Sequence, residues 1–238
     1  MIGERIHWFE SIDSTNDYVL KNHDKLHDGD VVVALEQSSG RGRHGRKWHS
    51  PRGGLWFSLV FKPRRFRDPN FYTKLVSVSI VQVLKELGLK VVIKWPNDIV
   101  FSGKKLAGVL TEGVYEGMTP LVVVVGVGLN VNNDLPDDLK HRAVSLKDIL
   151  GHEIPIDELL EKILKRIRSN RKKYSSSPGA LTRVWKSLLN LKEGQKVMVN
   201  GEEGVIERIH PDRIVLKLNR GRFELFDGDG IHEIYTQR

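Results

Sequence analysis

The chain contains no cysteine, which excludes a disulfide scaffold, a thiolate zinc or iron–sulfur site, and thiol catalysis. Long apolar runs are also missing. The longest, Leu121 to Val125, reaches Leu129 only if two glycines are counted, far short of a bilayer span. The opening MIGERIHWFE has no apolar core and so does not read as a secretory signal. No HExxH or other paired-ligand spacing occurs among the nine histidines, and Gly-x-Ser-x-Gly is absent. Proline is sparse, at 9 of 238 residues, and no repeat or low-complexity segment appears. A soluble globular enzyme or binding protein working in the cytoplasm, with no membrane partner, is the expectation.

What is present is charge and glycine in particular places. Lys plus Arg number 38 against 30 acidic residues, a formal charge of +8. The basic residues cluster between Arg41 and Lys47 and again between Lys162 and Lys173. The second cluster falls on a helix with Ile156, Leu160, Ile163 and Ile167 on its apolar face, and reads as a solvated surface. The first lies in a glycine- and arginine-rich stretch without periodicity, which reads as a loop.

Along the chain, strands are expected at 5–9, 30–37, 55–61 and 91–95, with a helix between Asn70 and Leu87 stopped by Gly88. Ser14 or Thr15 should cap a short helix through Val19 and Leu20. A hairpin, 99–101 with 106–114, leads into a strand at 121–130, and a further helix spans 181–189. After Leu191 four or five short alternating segments, separated by Gly and Asp-Gly turns, predict a small β-barrel. The fold class is therefore α/β, with a catalytic-size domain over 1–190 and a small β domain over 191–238.

Four strings hold the residue types that chemistry needs. In Gly40-Arg41-Gly42-Arg43-His44-Gly45-Arg46, glycines allow close backbone approach to an anion, and arginines offer bidentate donors. It is neither a Walker A loop nor a GxGxxG fingerprint, so phosphate binding and a plain nucleic-acid-touching loop both stay open. Lys94-Trp95-Pro96-Asn97-Asp98 ends a strand in a turn, where Asp98 is either a turn former or a Mg²⁺ ligand. Lys105, opening the next strand, is either solvated or aimed at a substrate carboxylate. Gly126 and Gly128 in Gly126-Val127-Gly128-Leu129-Asn130 weaken a strand, which is justified if a ligand or another backbone lies against them.

Taken in order, Ser14-Thr15-Asn16, GRGRHGRKW (40–48), KWPND (94–98), KKLAG (104–108) and GVGLN (126–130) resemble the signature of the biotin protein ligases, over about residues 8–132. The resemblance implies a mixed-sheet, class II synthetase-like catalytic domain with an SH3-like C-terminal barrel. It implies ATP and biotin as substrates, Mg²⁺, and a two-step reaction that ends on a lysine of a biotin carboxyl carrier protein domain. For biotin it implies Ser14, Thr15, Asn16, Gln37, Arg41, Gly42, Arg43, Lys105, Gly108, Gly126 and Gly128; the ureido ring would fall to Ser14, Thr15 and Gln37. For ATP or the adenylate it implies Arg41, Arg43, Arg46, Trp48, Lys94, Asn97 and Asn130, with Trp48 stacked on adenine. Arg43, Lys105 and Asp98 would carry the catalysis, Asp98 through Mg²⁺ or the attacking lysine.

Because the first motif begins at Ser14, the resemblance is to the monofunctional kind, without an N-terminal DNA-binding domain. A homodimer through the catalytic sheet is expected, with Leu121 to Val125 as the candidate strand. The alternatives are a lipoate–protein ligase, which shares fold and adenylate chemistry, and a nucleic-acid-binding module using the arginine loop.

Overall fold

The computed structural model describes residues 1–63, 68–117, 119–199, 201–226 and the backbone of 234–236. Seven strands form the main sheet: β1 (Ile6–Ile12), β2 (Val31–Gln37), β3 (Leu55–Phe61), β4 (Val91–Lys94), β5 (Asp98–Phe101), β6 (Lys104–Glu116) and β7 (Thr119–Leu129). Their spatial order is β1-β2-β3-β7-β6-β5-β4, with β1 and β2 parallel and every other neighbour antiparallel. Helices occupy both faces. α2 (Pro69–Glu86) and α4 (Ile156–Tyr174) bury their apolar stripes against one face, and α1 (Thr15–Lys21) covers part of the other.

This sandwiching explains why β3 and the centre of β7 read as unbroken apolar runs, since both faces of each strand are covered. Val123, Val125 and Val127 join the larger core with α2 and α4, whereas Val122 and Val124 face Val19 and Leu26. The same burial corrects one expectation. β7 pairs with β3 on one side and β6 on the other, so Leu121 to Val125 cannot offer a free strand edge; β1 and β4 are the edges.

Beyond α5 (Pro178–Ser187) come β8 (Lys196–Val199), β9 (Glu202–Ile209), β10 (Arg213–Leu218), β11 (Gly221–Phe226) and β12 (Ile234–Thr236). They form one antiparallel sheet in the order β11-β10-β9-β8-β12. The expected barrel is not closed among the described residues: β11 and β12 are the two edges, each paired on one side only. Val197, Ile206, Ile209 and Ile214 join the same apolar cluster as the main core. Trp95 Nε1 also donates to the His210 carbonyl at 2.8 Å, tying the turn after β4 to the second sheet. A one-turn-and-a-half helix, α3 (Leu146–Leu150), was not expected; Ser145 and Asp148 close a capping box at its start. Among the described residues no helix is long and apolar enough to cross a membrane.

Candidate active site

A cavity of about 850 Å³ opens where the first sheet, the arginine loop and the segment after β7 converge. All the residues singled out by the sequence, from Ser14 to Asn130, border it. They divide into a neutral polar floor and a charged end.

The floor begins with α1. Ser14 caps the helix by accepting from the Asp17 amide at 3.3 Å, and this fixes Thr15 and Asn16 in the first turn, both buried. Gln37, at the end of β2, accepts from the Thr15 amide at 2.8 Å and lies 3.1 Å from its hydroxyl. The Gln37 side-chain amide donates to Ser50 at 2.9 Å, and Ser50 in turn bonds the Trp48 carbonyl at 3.2 Å. Behind this layer sits Ser58, fully buried, 2.7 Å from Thr15 Oγ1 and 2.6 Å from Asn16 Oδ1.

The glycines of β7 are accounted for by side chains rather than by a ligand or backbone. A Cβ on Gly126 would meet Asn16 Oδ1 at 2.3 Å, and one on Gly128 would meet the Trp48 indole at 2.3 Å. Gly108, opposite Gly128 in the β6–β7 ladder, also lies under Trp48. Trp48 is thus seated on a glycine floor, edge-on to Trp56 at 6.4 Å, with its indole N–H buried and without a hydrogen-bond partner. A buried donor left unmade costs about 1–3 kcal/mol, so an acceptor entering the cavity here would relieve it.

At the charged end, Lys105 Nζ is 2.8 Å from Asp98 Oδ2 and 4.9 Å from the centre of the Trp48 ring. Asp98 faces Gly108 across the β5–β6 hairpin. Arg43 donates to Asn97 Oδ1 at 3.3 Å, while Asn97 Nδ2 donates to the Val109 carbonyl. Burial pushes the Arg43 pKa below the ordinary guanidinium value, Asp98 opposes that, and Arg46 reinforces it. A partly dehydrated cation between these groups is suited to an incoming anion. Lys94 and Arg46 border the same end.

The loop does not use its arginines alike. A 3₁₀ turn at Arg43–Gly45, with His44 in a left-handed conformation at φ 55°, turns Arg43 toward Asn97. The Arg41 guanidinium instead bonds Asp17 and both Glu112 oxygens, the latter at 3.1 Å, beside the polar floor. Asn130 also turns its amide to the protein, bonding the Val144 carbonyl and Asn133 at 3.3 Å each, so it fastens the segment after β7 that borders the cavity. From that segment come Leu135, Leu139 and Arg142, and from β11 Leu225 and Phe226.

Sequence reasoning missed Ser58, Ser50, Glu112 and these last wall residues. Ser58 had a signal, being the one polar residue in LWFSLVF. Glu112 had a weaker one: it follows Gly108 and Leu110 at strand spacing and so shares their face of β6. Among the described residues no group of three or more His, Asp or Glu side chains is placed to hold a metal. Asp98 is a single carboxylate, which fits a Mg²⁺ ion carried chiefly on phosphate and water, not a site built from protein ligands alone.

The chain is 38% identical over 172 residues to the bifunctional ligase/repressor BirA of Bacillus subtilis, covering 69% of this chain and 53% of that protein. It is 29% identical over 223 residues to biotin–protein ligase 2 of Arabidopsis thaliana, covering 87% and 65% respectively. The match spans about half the length of the Bacillus relatives. Among solved structures, the biotin protein ligase of Aquifex aeolicus in complex with biotin and ATP superimposes with a TM-score of 0.80 at 30% identity, covering 99% of both chains. Residues 8–130, which hold the polar floor, the arginine loop and the Lys105–Asp98 pair, match the biotin/lipoate A/B protein ligase family, and to that family this chain belongs.

Proposed function

We propose that the chain is a biotin protein ligase. In the first half-reaction a biotin carboxylate oxygen attacks the α-phosphorus of ATP; the bond to the β-phosphate oxygen breaks, giving biotinyl-5′-adenylate and pyrophosphate. In the second, the amine of a carrier-domain lysine attacks the acyl carbon, AMP leaves with the bonding pair, and the amine proton is lost to solvent or a nearby base.

The observation that carries this reading is the layout of one cavity. A neutral floor of hydroxyl and amide groups, Thr15 and Gln37 foremost, lies at one end, and Lys105 and Arg43 lie at the other. That matches a substrate with a neutral polar ring at one end and a carboxylate to be joined to phosphate at the other. Lys105 would bridge carboxylate and α-phosphate, neutralising charge that grows in the transition state, and Arg43 would hold the phosphate of the adenylate. Mg²⁺, bound through the nucleotide phosphates with Asp98 as its protein ligand, would supply further charge neutralisation.

The acceptor would be a biotin carboxyl carrier protein domain, with the basic balance of the chain steering an acidic partner. Residues 1–190 would carry the chemistry and 191–238 the appended SH3-like module, in a cytoplasmic homodimer. Several of the cations that suggested nucleic acid are paired with carboxylates of this chain, Arg41 with Asp17 and Glu112, Arg166 with Glu86 and Arg171 with Asp28, which favours the ligase reading. Pyrophosphate release from MgATP, measured with biotin, with lipoate and with neither, tests it. Biotin-specific release is expected; release with lipoate alone moves the protein to the sister activity, and release with neither overturns the assignment.

A further inference from the structure

The arginine loop is a small hairpin held at its base. Arg41 pairs with Lys47 in an antiparallel bridge, the Gly42 amide donates to the Arg46 carbonyl at 2.7 Å, and the Trp48 amide donates to the Gly40 carbonyl at 2.8 Å. These bonds tie residues 40–48 into one unit whose tip is the 3₁₀ turn at Arg43–Gly45. They hold the hairpin's shape but not its place. Trp48 is the one apolar side chain in the stretch, and His44 to Lys47 are exposed. Placement falls to side chains, among them Trp48 on its glycine floor, Arg43 on Asn97, and Arg41 on Asp17 and Glu112.

The Arg41 contacts all run from Nη2, which carries two hydrogens. One points to Asp17 Oδ1, and the other is shared by the two Glu112 oxygens at 3.1 Å each. No hydrogen of that nitrogen is left for a ligand. The carboxylates come from separate elements, Asp17 from the first turn of α1 and Glu112 from β6, so one cation joins the base of the hairpin to both. Glu112 is itself fixed against the polar floor, where it accepts from Asn16 Nδ2 at 2.7 Å. Arg43 sits two residues on in the same unit, so a base freed from its anchor lets the tip swing. Building on the biotin ligase reading, we infer that Asp17 and Glu112 are positioning residues. Acting through Arg41, they hold the hairpin so that Arg43 stays at the charged end of the cavity, where it retains the adenylate. Arg41 is then an anchor of the loop and not a ligand contact.

Two readouts on the intact chain test this. The first needs no ligand: trypsin cleavage after Arg46 and Lys47, scaled to a reference substrate. Cleavage follows the population of the opened hairpin. Asp17→Asn/Glu112→Gln should be cut about three- to tenfold faster than wild type, the range that two partly exposed ion pairs supply. Added salt should speed the cutting of wild type and not of the double variant, a signature that a packing role would not show. The second readout is dissociation of biotinyl-adenylate, in a cycle with Arg41→Met. The double variant and Arg41→Met should each release it about three- to tenfold faster. The triple variant should be no faster than the double, because both changes break one anchor. Additive losses overturn the inference, as does faster release from Arg41→Met without faster cutting of the ligand-free protein; either makes Arg41 a ligand contact. Wild-type rates in the double variant overturn it too. If the double variant is also cut faster outside residues 40–48, Asp17→Asn alone carries the same test, since it leaves the bond from Asn16 to Glu112 intact. Wild-type protein that retains no biotinyl-adenylate overturns the ligase reading, and the trypsin comparison then still decides whether Asp17 and Glu112 hold the hairpin.

Discussion

Lys105 and Asp98 form an ion pair across the β5–β6 hairpin, Nζ to Oδ2 at 2.8 Å, with both side chains about one-third exposed to the cavity. An exposed pair of this kind adds little to stability. Its value lies in position: the lysine is held at the charged end of the cavity by a partner that can release it when a stronger anion arrives.

Lys105→Ala should therefore leave folding almost unchanged and lower biotin-dependent pyrophosphate release by roughly a hundredfold or more, the usual cost of one preorganised charge contact. It also removes the ion-pair partner of Asp98. Transfer from supplied biotinyl-adenylate should fall much less. Equal losses in the two half-reactions would remove Lys105 from the adenylation step.

Gly128→Ala tests the seat of Trp48. The added Cβ would sit 2.3 Å from the indole, which is also braced by Gly108 and tethered by the Trp48 amide bond to the Gly40 carbonyl at 2.8 Å. Overpacking of this kind costs about 1–3 kcal/mol, and because the loop moves with its tryptophan, biotin-dependent turnover should drop more than tenfold. Gly179→Ala serves as the contrast, since the nearest non-local atom is Arg183 Nη1 at 3.9 Å and the site lies in the first turn of α5. That substitution should be neutral or stabilising by about 0.5–1 kcal/mol. Denaturant titrations of both variants read out the difference.

Asp30 gives a pH prediction. Its side chain is almost wholly buried and accepts from Arg5 Nε at 2.8 Å and the His27 amide at 2.9 Å, with His7 Nε2 at 3.4 Å. Burial alone would raise its pKa; the His27 amide, Arg5 and His7 together outweigh that and hold it below 3.8. A carboxyl depressed on folding stabilises the protein above its unfolded pKa and loses that contribution as pH falls through the lower folded value. Asp30→Asn should be less stable by about 1–3 kcal/mol at neutral pH. The gap from wild type should hold down to about pH 5 and narrow below about pH 4. A gap that widens on acidification would contradict the assignment.

Much of this was legible in the chain because the signals were local. The helical spacing of Val76, Ile80 and Val83 foretold α2, and of the two caps expected for α1, Ser14 or Thr15, the structure uses Ser14. The charged end was visible as KWPND and KKLAG because a hairpin brings neighbours in sequence together in space. What stayed hidden depends on distance along the chain. Asn16 meets Glu112 across 96 residues, and no pattern within β6 says which helix that carboxylate will face. The division of labour between Arg41 and Arg43 is equally invisible, since it is made by a left-handed His44 and by carboxylates on two other elements. The tail was read correctly as short strands, but among the described residues they form an open sheet where a barrel was expected, because closure depends on which edges meet. The glycines of β7 were expected to meet a ligand or another backbone, whereas the fold sets the side chains of Asn16 and Trp48 against them.

The wall contributed by Leu225 and Phe226 has a consequence for how the protein comes into being. A ribosome adds residues one end first, and early segments of a chain can fold before late ones exist. Ser14, Gln37 and the arginine loop emerge well before β11, so a nascent chain would hold the polar floor and both cations with one side of the vessel still open to water. The wall at Leu225 and Phe226 is in place only once β11 is, and the bond from Trp95 to the His210 carbonyl likewise needs the late segment. A cavity walled on every side would thus arrive late in synthesis, with the placing of β11.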